Sequence, residues 1–344
     1  MIRILYGVQA TGQGHISRAR AMAKALASYP NLEITWLFSG RPKDKLFDME
    51  PFGDYQHRSG LTFVTEAGRL RYRRTIASNS YWAFIKDILK LDLDRFDLIV
   101  TDYEPVTAWA GLLARRPVIG IGHQYAFGKN TPTDGCAFLQ KIVMSCFAPV
   151  SRKVGLHWHN YDNNILPPIL DLPEQSAGEP RDHVLVYLPF EDQTLVTNWL
   201  NGFRDHNFIQ YSSALGDGQQ GNVALRKASI FGFKTDLAQC RGVICNSGFE
   251  LISECLQWGR PVLTRPLDKQ IEQLSNSVAL KTLGYAKVMG GLDNAVTPDW
   301  LANPPAAPKV NFPNVSHRLA EWLAQGAQTP IASISDELWT QERT

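Results

Sequence analysis

Asn246-Ser247-Gly248-Phe249-Glu250-Leu251-Ile252-Ser253-Glu254, followed by Gly259-Arg260-Pro261-Val262-Leu263 and then by Gln270, Gln273 and Asn276, is the stretch that decides the fold. It reads as a small-residue turn, a helix, a Gly-Pro break, a short strand and an amide-rich loop. A Ser-Gly turn at a helix start presents free backbone N–H groups, the donors that a diphosphate needs. Glu254 falls about two turns into the helix, where its carboxylate can accept hydrogen bonds from a ribose diol. The amides beyond the strand can both donate to and accept from sugar hydroxyls. One segment thus carries a group for each part of a nucleotide-sugar.

Outward from this stretch the chain keeps alternating. In the first half, apolar runs at Ile2–Val8, Ile34–Phe38, Leu98–Thr101 and Val118–Ile121 read as strands. Helical spacing separates them at Ile16–Ser28, Tyr81–Lys90 and Val106–Ala114. A second series follows, with strands at Val184–Leu188, Phe208–Tyr211, Val243–Cys245 and Val262–Thr264. Its helices are predicted at Gln193–Asn201, Phe249–Trp258 and Gln270–Leu283, with a further amphipathic one at Val315–Ala324. Such alternation predicts an α/β protein with two parallel sheets covered by helices and a cleft between them. At 344 residues the chain exceeds one ordinary core, so two domains are expected. The predicted division is 1–162, a proline-bearing linker over 163–182, a second domain over 183–325, and a tail over 326–344 packing back on the first domain.

Hydrophobic content of 44% and charged content of 20% describe a globular protein. The net charge of +2 is unevenly spread: residues 1–165 hold 21 Lys/Arg against 14 Asp/Glu, and residues 166–344 hold 14 against 19. A basic first half points to an acidic or membrane-proximal partner there rather than to nucleic acid. The Ile2–Val8 run is too short for a secretory h-region, and no run reaches bilayer-spanning length. Five cysteines (Cys136, Cys146, Cys240, Cys245, Cys255) make no CxxC pair. A cytoplasmic protein with reduced thiols is the simplest account.

The loop Gly12-Gln13-Gly14-His15 follows the first strand and opens the first helix. Glycine permits close backbone approach there, and the helix start favours an anion. It is not a dinucleotide fingerprint: Ser17 stands where a third glycine belongs, and the second strand ends without a ribose-binding acid. His15 is the more informative residue, because an imidazole at the positive end of a helix favours the neutral, proton-accepting form. A purely capping histidine is the alternative. Asp102 and Glu104, after the strand Leu98–Thr101, could orient that histidine or serve as bases themselves.

Other motifs are read structurally. Asp92-Leu93-Asp94 follows a helix rather than a strand end and reads as a solvated turn, not a metal site. His157-Trp158-His159 has period-two spacing that would put both imidazoles on one strand face, yet no third ligand lies near. Arg69-Leu70-Arg71-Tyr72-Arg73-Arg74 is a solvated loop or a surface for anionic lipid.

Taken together, the Gly-x-Gly-His start, the Asp102–Pro105 loop and above all Asn246 to Asn276 resemble the GT-B glycosyltransferases. The likeness is to prokaryotic UDP-sugar transferases related to the enzyme that completes lipid II, and to an uncharacterised prokaryotic group beside them. The resemblance implies two Rossmann-like domains facing a central cleft. It implies diphosphate binding at Ser247, Gly248 and Phe249, ribose binding at Glu254, and donor-sugar binding at Gln270 and Gln273. Phe231-Gly232-Phe233 corresponds to the segment that reads the base, with Phe233 the residue carried forward; Gly12 and Gly14 form an acceptor or phosphate loop. Many retaining members carry a second acid eight residues before the ribose acid; here that position is Asn246, which favours inversion and hence a general base. The resemblance assigns that role to His15, with Asp102 as its orienting partner and no obligatory metal or cofactor beyond a UDP-sugar. Domain closure would expel water from the donor.

The expected activity is transfer of a sugar from a UDP-sugar to an acceptor, for instance a lipid-linked or cell-envelope glycan, with peripheral membrane contact through the basic first domain. Two competing readings keep the fold. One is a UDP-sugar 2-epimerase or hydrolase recruiting Glu191, Asp192 and His123; the other is a non-catalytic nucleotide-sugar-binding protein.

Overall fold

The computed structural model describes residues 1–66, 68–134, 138–162, 164–173, 178–292, 295–308 and 310–341. Cys136 and parts of the 163–182 and 326–344 segments lie outside the described residues. In chain order the first half runs β1 (Ile2–Gln9), α1 (Gln13–Leu26), β2 (Leu32–Ser39), β3 (Gln56–His57), the hairpin β4 (Thr65–Glu66) and β5 (Arg69–Leu70), α2 (Tyr72–Ser78) and α3 (Tyr81–Leu89). It continues with β6 (Leu98–Asp102), α4 (Pro105–Leu113), β7 (Ile119–Gly122), α5 (Phe138–Phe147), β8 (Arg152–Leu156) and β9 (Ile165–Leu166).

Seven of these strands form one sheet in the order β3-β2-β1-β6-β7-β8-β9, parallel throughout. Ile4, Leu5, Tyr6 and Val8 of the central strand are all fully buried. That is the signature of a parallel strand covered by helices on both faces.

The second half runs β10 (Val184–Tyr187), α6 (Gln193–Leu200), β11 (Phe208–Ser212), β12 (Gly218–Gln220), β13 (Val223–Lys227), α7 (Ile230–Gln239) and β14 (Gly242–Asn246). Then come α8 (Phe249–Gln257), β15 (Val262–Arg265), α9 (Ile271–Leu283), β16 (Lys287–Val288), α10 (Val296–Ala302), α11 (Val315–Ala324) and α12 (Ile331–Gln341). Its seven-stranded sheet has the order β12-β13-β11-β10-β14-β15-β16. All neighbours are parallel except the β12–β13 hairpin, whose two-residue loop places Gly221 at φ +56°.

In both sheets the strand order reverses at the first strand, between β1 and β6 and between β10 and β14. Ligands of open α/β sheets bind outside the carboxyl ends of strands at such a switch point. The last helix returns to the first sheet: Ser335 Oγ and Trp339 Nε1 of α12 both donate to the Ile165 carbonyl of β9.

Candidate active site

His15 and Asp102 meet at the switch point of the first sheet. Gly12 precedes α1 in extended conformation with no side-chain cap, so His15 enters in the first helical turn. Asp102 is the last residue of β6. His15 Nδ1 lies 2.8 Å from Asp102 Oδ1, and Asp102 is fully buried while the His15 side chain keeps 15% exposure. Arg18, one helical turn beyond His15, donates from Nε to Asp102 Oδ2 at 2.7 Å and from Nη2 to Oδ1 at 2.5 Å. Burial alone would raise the Asp102 carboxyl, but the Arg18 guanidinium and then His15 hold it below the ordinary carboxylate range. An ionised Asp102 draws a ring proton of His15 to Nδ1 and leaves Nε2 as the nitrogen placed to accept one. Among the described residues Nε2 has no hydrogen-bond partner, and His15 lines the cleft.

The opposite wall of the cleft comes from the quoted stretch. Gly248 precedes α8 without a side-chain cap, and Gly248, Phe249, Glu250 and Leu251 all line the cleft. First-turn amides at such a start are donors for an anion. Ser247 itself is fully buried and turned inward: its hydroxyl lies 2.9 Å from Thr264 Oγ1, its N–H reaches the Arg265 carbonyl, and its carbonyl accepts from Asn276 Nδ2. It shapes the turn and leaves the donors to its successors.

Glu254, 3% exposed, faces the cleft from α8 and is ion-paired with Lys234 of α7. Burial pushes its carboxyl up, with Lys234 opposing. Gln270 and Gln273 also line the cleft. Gln273 Oε1 accepts from the Leu267 N–H at 3.0 Å, whereas Gln270 Oε1 is buried without a described partner. Phe233 packs edge-on against Tyr187 and Tyr211, ring centroids 5.3 and 5.2 Å away, giving this end of the cleft an aromatic floor. Asn276 does not face the cleft: it is fully buried and binds Ser247 and His123.

Three groups escaped the sequence reading. Arg18 bridges Asp102 to Glu250 of α8, whose carboxylate also fills the space above Gly14, where a Cβ would collide with it. Lys234 shields Glu254. Each pairing joins side chains far apart in sequence, and the available signal was the i, i+3 spacing of His15 and Arg18 on one helix face.

Other expected residues are not brought to the site. Glu104 N-caps α4, its carboxylate accepting from the N–H groups of Val106 (2.8 Å) and Thr107 (2.7 Å) and from Ser39 Oγ (2.6 Å). Asp102, not Glu104, contacts the histidine. Asp92 and Asp94 sit in a turn, with Asp94 bonded to the Asp92 carboxylate through its backbone and its side chain in solvent. His157 and His159 do not share a strand face: β8 stops at Leu156, His157 is fully buried and His159 is exposed. Arg69 pairs with Asp268 of the second half, both side chains exposed, so the basic run begins at a surface contact between the two halves.

The sequence matches the family described as glycosyl transferase family 1 over residues 2–305. No curated protein matches it. Among solved structures, a Listeria monocytogenes protein described as a UDP-N-acetylglucosamine 2-epimerase shares 13% identity, covers 96% of this chain and 97% of its own, and gives a TM-score of 0.62. Phytolacca americana UGT2, complexed with UDP-2-fluoro-glucose and pterostilbene, shares 11% identity over 99% and 98% of the two chains at a TM-score of 0.59. Acinetobacter baumannii MurG shares 15% identity over 94% and 99% at 0.54. These likenesses establish a common GT-B architecture. By the extent of the family match, the chain belongs to glycosyl transferase family 1.

Proposed function

We propose that the protein transfers a sugar, with inversion, from a UDP-sugar held by residues 183–325 to an acceptor hydroxyl presented mainly by residues 1–162. The observation that carries this reading is the His15–Asp102 pair facing, across one cleft, the uncapped start of α8 and the carboxylate of Glu254. His15 Nε2 takes the acceptor proton as the acceptor oxygen bonds to the anomeric carbon. The bond to the diphosphate oxygen breaks, and the charge left on the diphosphate falls against the α8 amides. Glu254 holds the ribose, the aromatic floor at Phe233 takes the base, and Gln270 and Gln273 take the donor sugar. Asn246 in place of a second acid supports single displacement.

His15→Ala is expected to leave UDP affinity near its native value while turnover falls by about 100-fold or more. Calorimetry and an acceptor-panel assay measure the two quantities, and surviving turnover removes the base assignment. Tight UDP binding without transfer to any acceptor would favour the non-catalytic reading.

The structure gives the epimerase reading little support. Glu191 is ion-paired with Arg265, Asp192 N-caps α6 through the Leu195 N–H, and His123 is buried under Phe249. None of the three lines the cleft.

For the acceptor, a membrane-borne glycan is favoured by α3. This helix turns Phe84 and Ile88 into the core and leaves Trp82 (84% exposed), Leu89, Tyr81 and Ile85 outside, with Lys86 and Lys90 on the same short segment. Exposed aromatic and aliphatic side chains beside lysines suit an anionic interface. Co-sedimentation with phosphatidylglycerol vesicles is expected, and is expected to be lost in a Trp82→Ser/Leu89→Ser variant; equal sedimentation of both proteins overturns the placement.

A further inference from the structure

We propose that Glu250, acting through Arg18, completes the His15–Asp102 pair from the other lobe, so that the base reaches working strength when the donor lobe is docked. This deepens the transfer reading and rests on it. Arg18 and Glu250 are positioning residues here: neither is required to touch the reacting atoms.

The geometry is that of a relay. Both oxygens of Asp102 are held by the Arg18 fork, Nε on Oδ2 and Nη2 on Oδ1, which fixes the plane of a carboxylate that could otherwise rotate. Arg18 Nη2 also lies 3.0 Å from His15 Nδ1, so a full guanidinium charge stands beside the ring that must become cationic. Arg18 and Asp102 alone form a neutral pair, and a neutral pair does little for an imidazolium. Glu250 changes the balance. Its carboxylate engages Arg18 Nη1, so that Asp102 and Glu250 together outweigh the single positive charge of Arg18 beside the ring that must become cationic.

Arg18 is 1% exposed, so little water screens these charges. The other groups around the cluster are buried Tyr6 from β1 and half-buried Tyr125, both neutral, buried His123, on which Arg18 and Glu272 both act, and Glu272 of α9, which also acts on Arg18 and accepts from Gln124 Nε2 at 3.0 Å. Arg20 is directed to Asp171 instead. Glu250 belongs to α8 and His15 to α1, 235 positions earlier, so the extra charge arrives through docking of the two sheets. Two glycines leave the space: a Cβ on Gly14 would strike Glu250, and one on Gly122 would press on Asp102 Oδ1 at 3.2 Å.

The test reads His15 directly, without donor or acceptor. The intact protein is treated with diethyl pyrocarbonate from pH 5 to pH 9, and modification of the His15 peptide is followed by mass spectrometry with exposed His159 as internal reference. Glu250→Gln is expected to move the midpoint of His15 modification to lower pH, and Arg18→Met to move it to higher pH, each by about half a pH unit or more. Opposite shifts at one ring are what charge coupling produces and what loosened packing does not. Should Arg18→Met fail to fold, Glu250→Gln carries the test alone. Shifts in one direction for both variants, or no downward shift in Glu250→Gln, overturn the proposal. If the shifts appear while His15→Ala still transfers sugar, the relay stands and the base assignment falls.

Discussion

Asp102 joins its proposed part beside His15 to a stabilising charge in a single carboxylate. Its folded-state acidity lies below the ordinary value: burial opposes ionisation, but Arg18 and His15 outweigh it. A depressed carboxyl contributes stability that is present above its unfolded value, about pH 3.9, and is lost as the pH falls through the folded value. Asp102→Asn is therefore expected to lower the urea midpoint at pH 7, with the gap to the native protein narrowing towards pH 3. A gap that stays constant with pH would show that the charge contributes nothing. Glu254→Ala is expected to weaken UDP binding several-fold or more in calorimetry, since it removes the proposed acceptor of the ribose hydroxyls and leaves half-buried Lys234 without its carboxylate partner. His15, Asp102 and Glu254 were legible in the sequence because each sits at a fixed offset from a strand end or helix start. Arg18–Glu250 and Lys234–Glu254 were not. Their meaning lies in a partner 232 or 20 positions away, and no local pattern encodes which charges converge when two sheets pack.

Elements were legible where one period dominated. β1, β2, β6, β7, β10, β11, β14 and β15 showed as continuous apolar runs, and α1, α8, α9 and α11 as helical spacing between them, with boundaries within two residues of those observed except at the start of α1, which lies three residues earlier at Gln13. β12 and β13 were not read, because Gly218-Gln219-Gln220 is polar and fully exposed and its strand character comes from pairing across the Gly221 turn. α7 was missed as a helix for a related reason: Gly232 interrupts it and Phe231 is 85% exposed, so its apolar face is indistinct. Glu104 was misread at this same level. It looked like a loop acid beside Asp102, yet it is the cap of α4, fully buried, with burial pushing its carboxyl up against the bonds from Ser39 and the helix amides. Glu104→Ala is expected to cost about 2 kcal/mol in denaturant unfolding, the loss of a cap and of partners for buried N–H groups. Glu104→Gln should cost less, and the remaining folded enzyme should keep its turnover number. A turnover loss matching that of His15→Ala would return Glu104 to the chemistry.

At the scale of the molecule, the two sheets are joined by more than a linker. Phe249 stacks face to face on His123, centroids 4.0 Å apart, Trp158 Nε1 donates to Ser253 Oγ at 2.8 Å, and Asn276 Oδ1 lies 2.7 Å from His123 Nε2, all in buried surroundings. One apolar cluster runs through both halves, from Ile4 and Val100 to Leu185, Val243 and Leu256. The two-domain sequence pattern gave no hint of this, because each alternating series is self-sufficient as a pattern. Sheets that share a core should melt together. Hydrogen exchange in β1 and in β14 is expected to report the same global unfolding free energy, and Asn276→Ala to lower both; separate transitions would show the halves to be energetically independent. The cleft left between them has one further property. Gln270 Oε1 and Asn246 Oδ1 are buried there with no hydrogen to accept among the described residues. A guest that displaces solvent from these oxygens must donate to them or lose their bonds: a deoxygenated sugar nucleotide would forfeit affinity out of proportion to the single atom removed, so selectivity among donors rests on hydrogens withheld as much as on contacts made.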